Sequence, residues 1–152
     1  GVGSTAAVVC SSAFSNRQCI SQCSEKDSQS SCSSERAPEI GGPVWPTLQR
    51  HVPQGSTRLL IIRHGETKWN AEKRMQGQLD IELNDAGRHQ ARRARDALGQ
   101  NHAIAKAIDA VVSSDLLRAS ETADIIAASC PQAPRYLDPR LREFFFGQFQ
   151  GM

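Results

Sequence analysis

Arg58-Leu-Leu-Ile-Ile-Arg-His-Gly-Glu-Thr67 joins two kinds of sequence within one short stretch. The first half is a β-branched apolar run of the length expected for a strand buried on both faces of a parallel sheet. The second half crowds a guanidinium, an imidazole, a glycine and a carboxylate directly behind that strand. The residues that follow keep alternating. Asn84 offers an N-cap for a helix in which Ala91, Ala94 and Leu98 share one face and Arg88, Arg92, Arg93 and Arg95 the other. Ala110-Val-Val-Ser113 predicts a second strand. Asp115 then serves as the expected cap of a helix with Leu116, Ala119, Ala123, Ile126 and Ala127 as its buried stripe, ended by Pro131 and Pro134. Tyr136-Leu137 is a weak third strand, and residues 141–149 form a phenylalanine-rich stretch with a turn at Gly147. Strand, helix, strand, helix, strand predicts an α/β domain, a doubly wound and mostly parallel sheet with helices on both faces. Ligands of such sheets gather beyond the carboxyl ends of the strands, so the residues after Ile62, Ser113 and Leu137 are the ones to inspect.

Upstream of this pattern the composition changes. Residues 1–57 hold four of the seven prolines and four of the five cysteines (Cys10, Cys19, Cys23, Cys32), together with a serine tract over 11–34. No period of 2 or 3.6 persists there, which predicts a disordered leader, open to proteases and dispensable to a domain over 58–152. The first 24 residues carry Ser, Ala and Cys with Arg17 as their single charge, as an organellar transit peptide does, although acids begin at Glu25 and the chain starts with Gly1. The apolar run at 6–9 is shorter than the roughly 7 to 15 residues of a secretory signal core. The spacing C-x8-C-x3-C-x8-C fits zinc ligation poorly, since closed sites use tight pairs on both sides. Thiols in a floppy leader are the preferred reading, and Cys130, with no His or Cys beside it, is expected to be a packing or surface residue.

The whole chain has 152 residues, 39% of them hydrophobic and 22% charged, which suits one globular domain. Its apolar stretches fall far short of the roughly 20 residues of a membrane-spanning helix. A net charge of +2 is too mild for a dedicated nucleic-acid binder. The expectation is a soluble intracellular protein, cytoplasmic or, given the Ser-rich leader, directed to the chloroplast or another organelle.

Three clusters stand where the sheet would place a site. Arg63-His64-Gly65 ends the first strand, with Asn70 six residues beyond the histidine. A guanidinium fork and a glycine that lets backbone N–H groups approach suit a phosphoryl group better than a metal. His64 taken alone is more often structural than catalytic. Arg118 falls in the first turn of the second long helix, where backbone donors already favour anions, against the alternative of a solvated surface arginine. Glu143 lies among Leu141 and three phenylalanines, company that should raise its pKa and let it donate a proton near neutral pH. Its bland alternative is an ordinary exposed glutamate.

Leu-Leu-Ile-Ile-Arg-His-Gly-Glu-Thr-Lys-Trp-Asn (59–70), Ser-Ser-Asp-Leu-Leu-Arg-Ala-Ser-Glu-Thr (113–122) and Leu-Arg-Glu-Phe-Phe-Phe-Gly (141–147) together resemble the phosphoglycerate mutase-like histidine phosphatases, branch 1. The match covers about the first half of a family domain. The resemblance implies a sheet incomplete at the C-terminus and a reaction in which His64 attacks phosphorus and becomes a phosphohistidine. Arg63, Asn70 and Arg118 would hold the phosphoryl oxygens, and Glu143 would protonate the leaving alkoxide and then activate water. Thr67, Gln76 and Gly77 match positions lining the family's substrate entrance. The expected partner is a small phosphorylated metabolite, with no metal, no other cofactor, no nucleic acid and no membrane.

Family members carry a second pocket histidine in a Ser-His-Gly-like string that this sequence lacks: His51 lies in the leader, and His89 and His102 fall on or after the arginine-rich helix. The chain by itself is therefore expected to be inactive and poorly folded, with the faces of 59–62 and 111–112 partly uncovered. Met75-Gln-Gly-Gln-Leu-Asp-Ile-Glu-Leu-Asn84 and Phe146-Gly-Gln-Phe-Gln-Gly151 resemble the phosphatases of the family more than its mutases. Hydrolysis of a small phosphomonoester is the favoured activity. Mutase-type transfer is the alternative among enzymes, and a non-catalytic phosphate-binding module the alternative outside them. A dinucleotide-binding domain is disfavoured, because no G-x-G-x-x-G follows any strand.

Overall fold

The structure, a computed structural model, describes residues 5–11 and 56–152. Four parallel strands make one sheet: β1 (Thr5–Ser11), β2 (Thr57–Arg63), β3 (Ile108–Ser113) and β4 (Arg135–Leu137), in the spatial order β2-β1-β3-β4. Between them run α1 (Lys68–Ala71), α2 (Asp85–Gln100), α3 (His102–Lys106) and α4 (Leu117–Ala127), and two 3-10 turns follow at Pro139–Leu141 and Gly147–Phe149. The expected alternation of strands and helices after residue 57 is present.

The leader does not stand wholly apart from the domain. Thr5–Ser11 lies between β2 and β3, pairing Cys10 with Ile62 on one side and with Ser113 on the other. The run Ala6-Ala-Val-Val-Cys10 is too short for a signal core but has the length and the apolar character of an interior parallel strand. Disorder is thus not the state of these seven residues. The remaining leader features (Cys19, Cys23, Cys32, most of the serine tract and His51) lie outside the described residues.

One further expectation is corrected. β2 is not buried on both faces: among the described residues it is an edge strand, with Leu60 and Ile62 turned to the core and Leu59 and Ile61 about half exposed (56% and 51%). Helices on both faces of the sheet are not seen among the described residues of α2, α3 and α4. Leu98 of α2, Ala105 of α3 and Ala123 and Ile126 of α4 enter one cluster with Val111 of β3, so all three helices cover the same face. Each large aliphatic chain buried there contributes about 1.5–3 kcal/mol. Ala119 and Ala123, both fully buried, allow α4 to approach the sheet closely. Cys130 belongs to this core, where burial pushes its thiol pKa up. No helix among the described residues is long and apolar enough to cross a membrane.

Helix starts fix the loops that matter. Asn84 Oδ1 accepts from Gly87 N (2.8 Å), so the predicted cap of α2 is present. Asp115 does not cap α4. Its helix begins after Leu116, where Ser114 Oγ accepts from Leu116 N and Asp80 Oδ1, arriving from the 76–83 segment, accepts from Leu117 N. The Asp115 carboxylate is engaged by Arg142 instead, and a side chain bound in that way is lost to the backbone.

Candidate active site

The carboxyl ends of β1, β2 and β3 lie side by side, with Ser11 opposite Arg63 and Cys10 opposite Ser113, so the loops after β2 and β3 meet. His64 begins the first of them and is 6% exposed. Its Nδ1 lies 2.7 Å from Gly65 O. Because a carbonyl only accepts, this contact places the proton on Nδ1 and leaves the Nε2 lone pair free. Burial, reinforced by the charges of Arg118 and Arg63, lowers the His64 pKa to about 4, against a smaller upward pull from the Gly65 carbonyl. The ring is neutral at pH 7.

Two helices clamp the histidine loop. Gly65 N donates to Thr122 Oγ1 of α4 (3.0 Å), which itself donates to Arg118 O (2.7 Å). From α2, Gln90 Oε1 accepts from Glu66 N (2.9 Å), while Asn84 N donates to Glu66 O and Asn84 Nδ2 to Glu66 Oε1. The loop and α2 touch backbone to backbone: a Cβ on Gly87 would stand 2.0 Å from Glu66 O. Glycine is required there for closeness rather than for its conformational range.

Beside His64 opens a cavity of about 350 Å³ lined by Arg63, His64, Glu66, Asn70 and Gln90. Arg63 is exposed, the ordinary condition of a cation that meets a ligand from solution. Asn70 is fixed by the N-terminus of α1: Oδ1 accepts from Thr67 N (3.1 Å) and Thr67 Oγ1 (3.0 Å). With its carbonyl so occupied, Asn70 offers its amide N–H groups to anything else. Thr67 and Gln76, expected at a substrate entrance, stand next to Asn70. Both are buried, with Thr67 Oγ1 also 3.0 Å from Gln76 Oε1, and they support Asn70 from behind.

Arg118 is fully buried and holds three oxygens: Nη1 donates to Leu79 O (2.8 Å), and Nη2 to Gly77 O (2.6 Å) and Glu143 Oε2 (3.1 Å). Its Nε, equally buried, has no hydrogen-bond partner. Gly77 therefore enters the site through its carbonyl, in a left-handed turn with φ +53°. Glu143 has its pKa raised by burial, opposed by Arg118 and, at longer range, Arg63. Burial is the expected cause, but two of the three expected rings do not supply it: Phe144 and Phe145 are 75% and 69% exposed. The structure thus gathers Arg63, His64 and Asn70 on one cavity and sets Arg118 and Glu143 beside it as a contacting pair. Glu66, Gln90 and Thr122 went unnamed as site residues in the sequence. Thr122 had a signal, since its spacing of four from Arg118 lets its hydroxyl bond back to that residue's carbonyl.

Among the described residues no three His, Cys, Asp or Glu side chains stand together as metal ligands would. A larger, shallower depression lined by Arg95, Asp96, Gly99 and His102 lies at the far end of α2 from the histidine loop.

The chain is similar to known proteins over this same stretch. The model of the histidine phosphatase superfamily (branch 1) matches residues 59–152. Phosphoglycerate mutase-like protein 4 of Arabidopsis thaliana is 50% identical over 94 residues, 62% of this chain and 39% of that protein. Glucosyl-3-phosphoglycerate phosphatase of Mycolicibacterium vanbaalenii is 45% identical over 95 residues, 62% of this chain and 40% of its own. A solved mycobacterial glucosyl-3-phosphoglycerate phosphatase in complex with VO3 superposes with a TM-score of 0.52 at 43% identity, covering 59% of this chain and 42% of that one. The chain spans about two fifths of the length of these relatives. From the family match and the three motifs at the carboxyl ends of its strands, the chain belongs to branch 1 of the histidine phosphatase superfamily.

Proposed function

We propose that the whole protein hydrolyses a small phosphomonoester, without a metal, through a phosphohistidine on His64. The observation that carries this reading is the state of His64: buried, neutral at pH 7 and tethered through Nδ1 to Gly65 O, so that Nε2 is a fixed nucleophile. Nε2 attacks phosphorus, the bond to the ester oxygen breaks, and the departing alkoxide takes a proton from the Glu143 carboxyl, whose raised pKa keeps more of it protonated than an ordinary glutamate. The resulting Glu143 carboxylate then accepts a proton from the water that releases phosphate, leaving His64 and Glu143 as they began. Arg63 and the Asn70 amide supply donors to the phosphoryl oxygens from the cavity wall. Arg118 has its unpartnered Nε to offer. Relatives named as phosphatases support hydrolysis, and the solved relative with VO3 supports a phosphoryl-sized anion as the ligand. In the whole protein the uncovered sheet face, with Leu59 and Ile61, would receive further structure and the sheet would become doubly wound.

The test uses full-length protein and a ³²P-labelled phosphomonoester. Acid-labile label on the wild type and none on His64→Ala is the expected result, with turnover reduced on the order of 10⁴-fold or more. Equal labelling of both overturns it. Offered 3-phosphoglycerate, the protein should release free phosphate; appearance of the 2-isomer would make it a mutase.

A further inference from the structure

We propose that Asp115 and Arg142, neither of them in the cavity, are positioning residues that hold the Glu143 carboxyl against Arg118. The proposal rests on the reading of Glu143 as proton donor given above. Glu143 lies outside the strands and helices. It follows a 3-10 turn, its next two side chains face solvent, and Arg140 is turned back onto Asp138, two residues away. Arg142 makes a long-range attachment: Nε donates to Asp115 Oδ1 (2.7 Å) and Nη2 to Asp115 Oδ2, a fork-to-fork pair across 27 positions of sequence. Asp115 precedes Arg118 by three residues and Arg142 precedes Glu143 by one. The same two segments are thus joined twice, once by Asp115 with Arg142 and once by Arg118 with Glu143. Gln78 adds a backbone tie through Nε2 to Glu143 O (3.0 Å).

A half-exposed ion pair adds little to global stability. What a bidentate pair adds is geometry, since two parallel bonds fix the guanidinium in its plane and direction. The Arg142 fork also holds the Asp115 carboxyl below the usual carboxylate range, so the strut persists at pH values where Glu143 takes up its proton. Arg118 and Arg63 both act on Glu143 itself, and both oppose its protonation. A carboxyl released from this seat would return to water.

The experiment compares full-length wild type, Arg142→Gln, Asp115→Asn and the swapped double variant Asp115→Arg/Arg142→Asp by two readouts. Glu143 is titrated by ¹³C NMR of its side-chain carboxyl, and kcat and KM are measured on an alkyl phosphate and on p-nitrophenyl phosphate. The expected result is a Glu143 pKa that falls toward the ordinary glutamate value in both single variants. The alkyl ester should lose about 10-fold or more in kcat while p-nitrophenyl phosphate, whose phenolate needs little protonation, keeps its kcat within about threefold. The swap should recover most of the alkyl rate. An unchanged Glu143 titration in both single variants overturns the proposal, as does an equal loss on both esters. Should the wild type turn over neither ester, the hydrolytic reading fails, and the titration still decides the strut.

Discussion

Arg63 and Arg118 carry the same guanidinium to the surroundings of His64, one ending β2 on the cavity wall and the other in the first turn of α4, and the fold treats them in opposite ways. Arg63 is exposed on the cavity wall. Arg118 has no exposed surface, and its two Nη groups are taken by Gly77 O, Leu79 O and Glu143 Oε2. Both charges act on His64, and each helps keep the imidazole neutral. A guanidinium whose donors face solvent can change partners when an anion arrives. One that ties the 76–83 segment to α4 and to Glu143 cannot leave without releasing them. Arg118 is therefore a brace, which under the proposed reaction would also donate to the ligand, whereas Arg63 would act as a ligand donor alone.

The largest difference between them should appear in stability. Arg118→Met removes a buried charge, leaves two carbonyls unpaired and frees Glu143, and should destabilise the fold by about 3–5 kcal/mol. Urea denaturation of the full-length protein measures this. A loss under about 1 kcal/mol would remove Arg118 from the structural role.

The second prediction concerns the group both arginines act on. Folded His64 titrates at about 4, whereas the unfolded imidazole titrates near 6.5. Between those values the unfolded chain binds more protons, so stability is full above pH 6.5 and declines as pH falls toward 4, by about 3 kcal/mol from this residue. Glu143 works in the other sense: its raised pKa gives stability that is present at low pH and lost as pH rises through its folded value. Subtracting the urea-derived stability of His64→Phe from that of wild type at each pH isolates the histidine. A flat difference across pH 4–6.5 would mean that the ring is not held neutral.

The motifs themselves were legible because they sit directly behind apolar runs, and chain order alone brings strand ends together in a parallel sheet. What each residue does there was less so. Arg118 reads the same whether buried or solvated; its brace depends on the carbonyls of residues 77 and 79, which any side chain could carry. Glu143 has its pKa raised by burial as expected, but Phe144 and Phe145 do not supply that burial, since a phenylalanine-rich stretch need not turn its rings inward. Asp115 looked like a helix cap until Arg142, distant in sequence, claimed its carboxylate. The strand at 5–11 was hidden by its setting: a short apolar run inside a serine- and cysteine-rich segment carries no period, and only pairing with β2 and β3 makes it a strand.

Thr122 joins Arg118's helix to the histidine loop, a link that Arg63 lacks. Thr122→Val keeps the shape but strands the buried Gly65 N–H, at a cost of about 1–3 kcal/mol. If the clamp matters to the site, this variant should also raise the inhibition constant for vanadate, and Thr122→Ser should restore both. Serine failing to restore either would show that the methyl group, and not the hydroxyl, is what α4 needs.

The smallest effect on the fold belongs to Arg63. Exposed and at the edge of the sheet, its replacement by Met should change stability by no more than about 0.5 kcal/mol. Binding is where it should register: losing one charge-assisted contact to an oxyanion, worth about 1.5–3 kcal/mol, weakens inhibition by vanadate or phosphate about 10- to 100-fold. The same substitution removes a positive charge that lowers the His64 pKa, so the imidazole should titrate higher in Arg63→Met and the acid limb of kcat/KM should move up in pH. Arg118→Met should move it in the same direction and further, because Arg118 is the larger of the two electrostatic influences on the ring. Affinity lost without a change in melting, with a modest upward shift of the acid limb, is the signature of an arginine that only binds. A destabilisation of Arg63→Met comparable to that of Arg118→Met would erase the distinction between them.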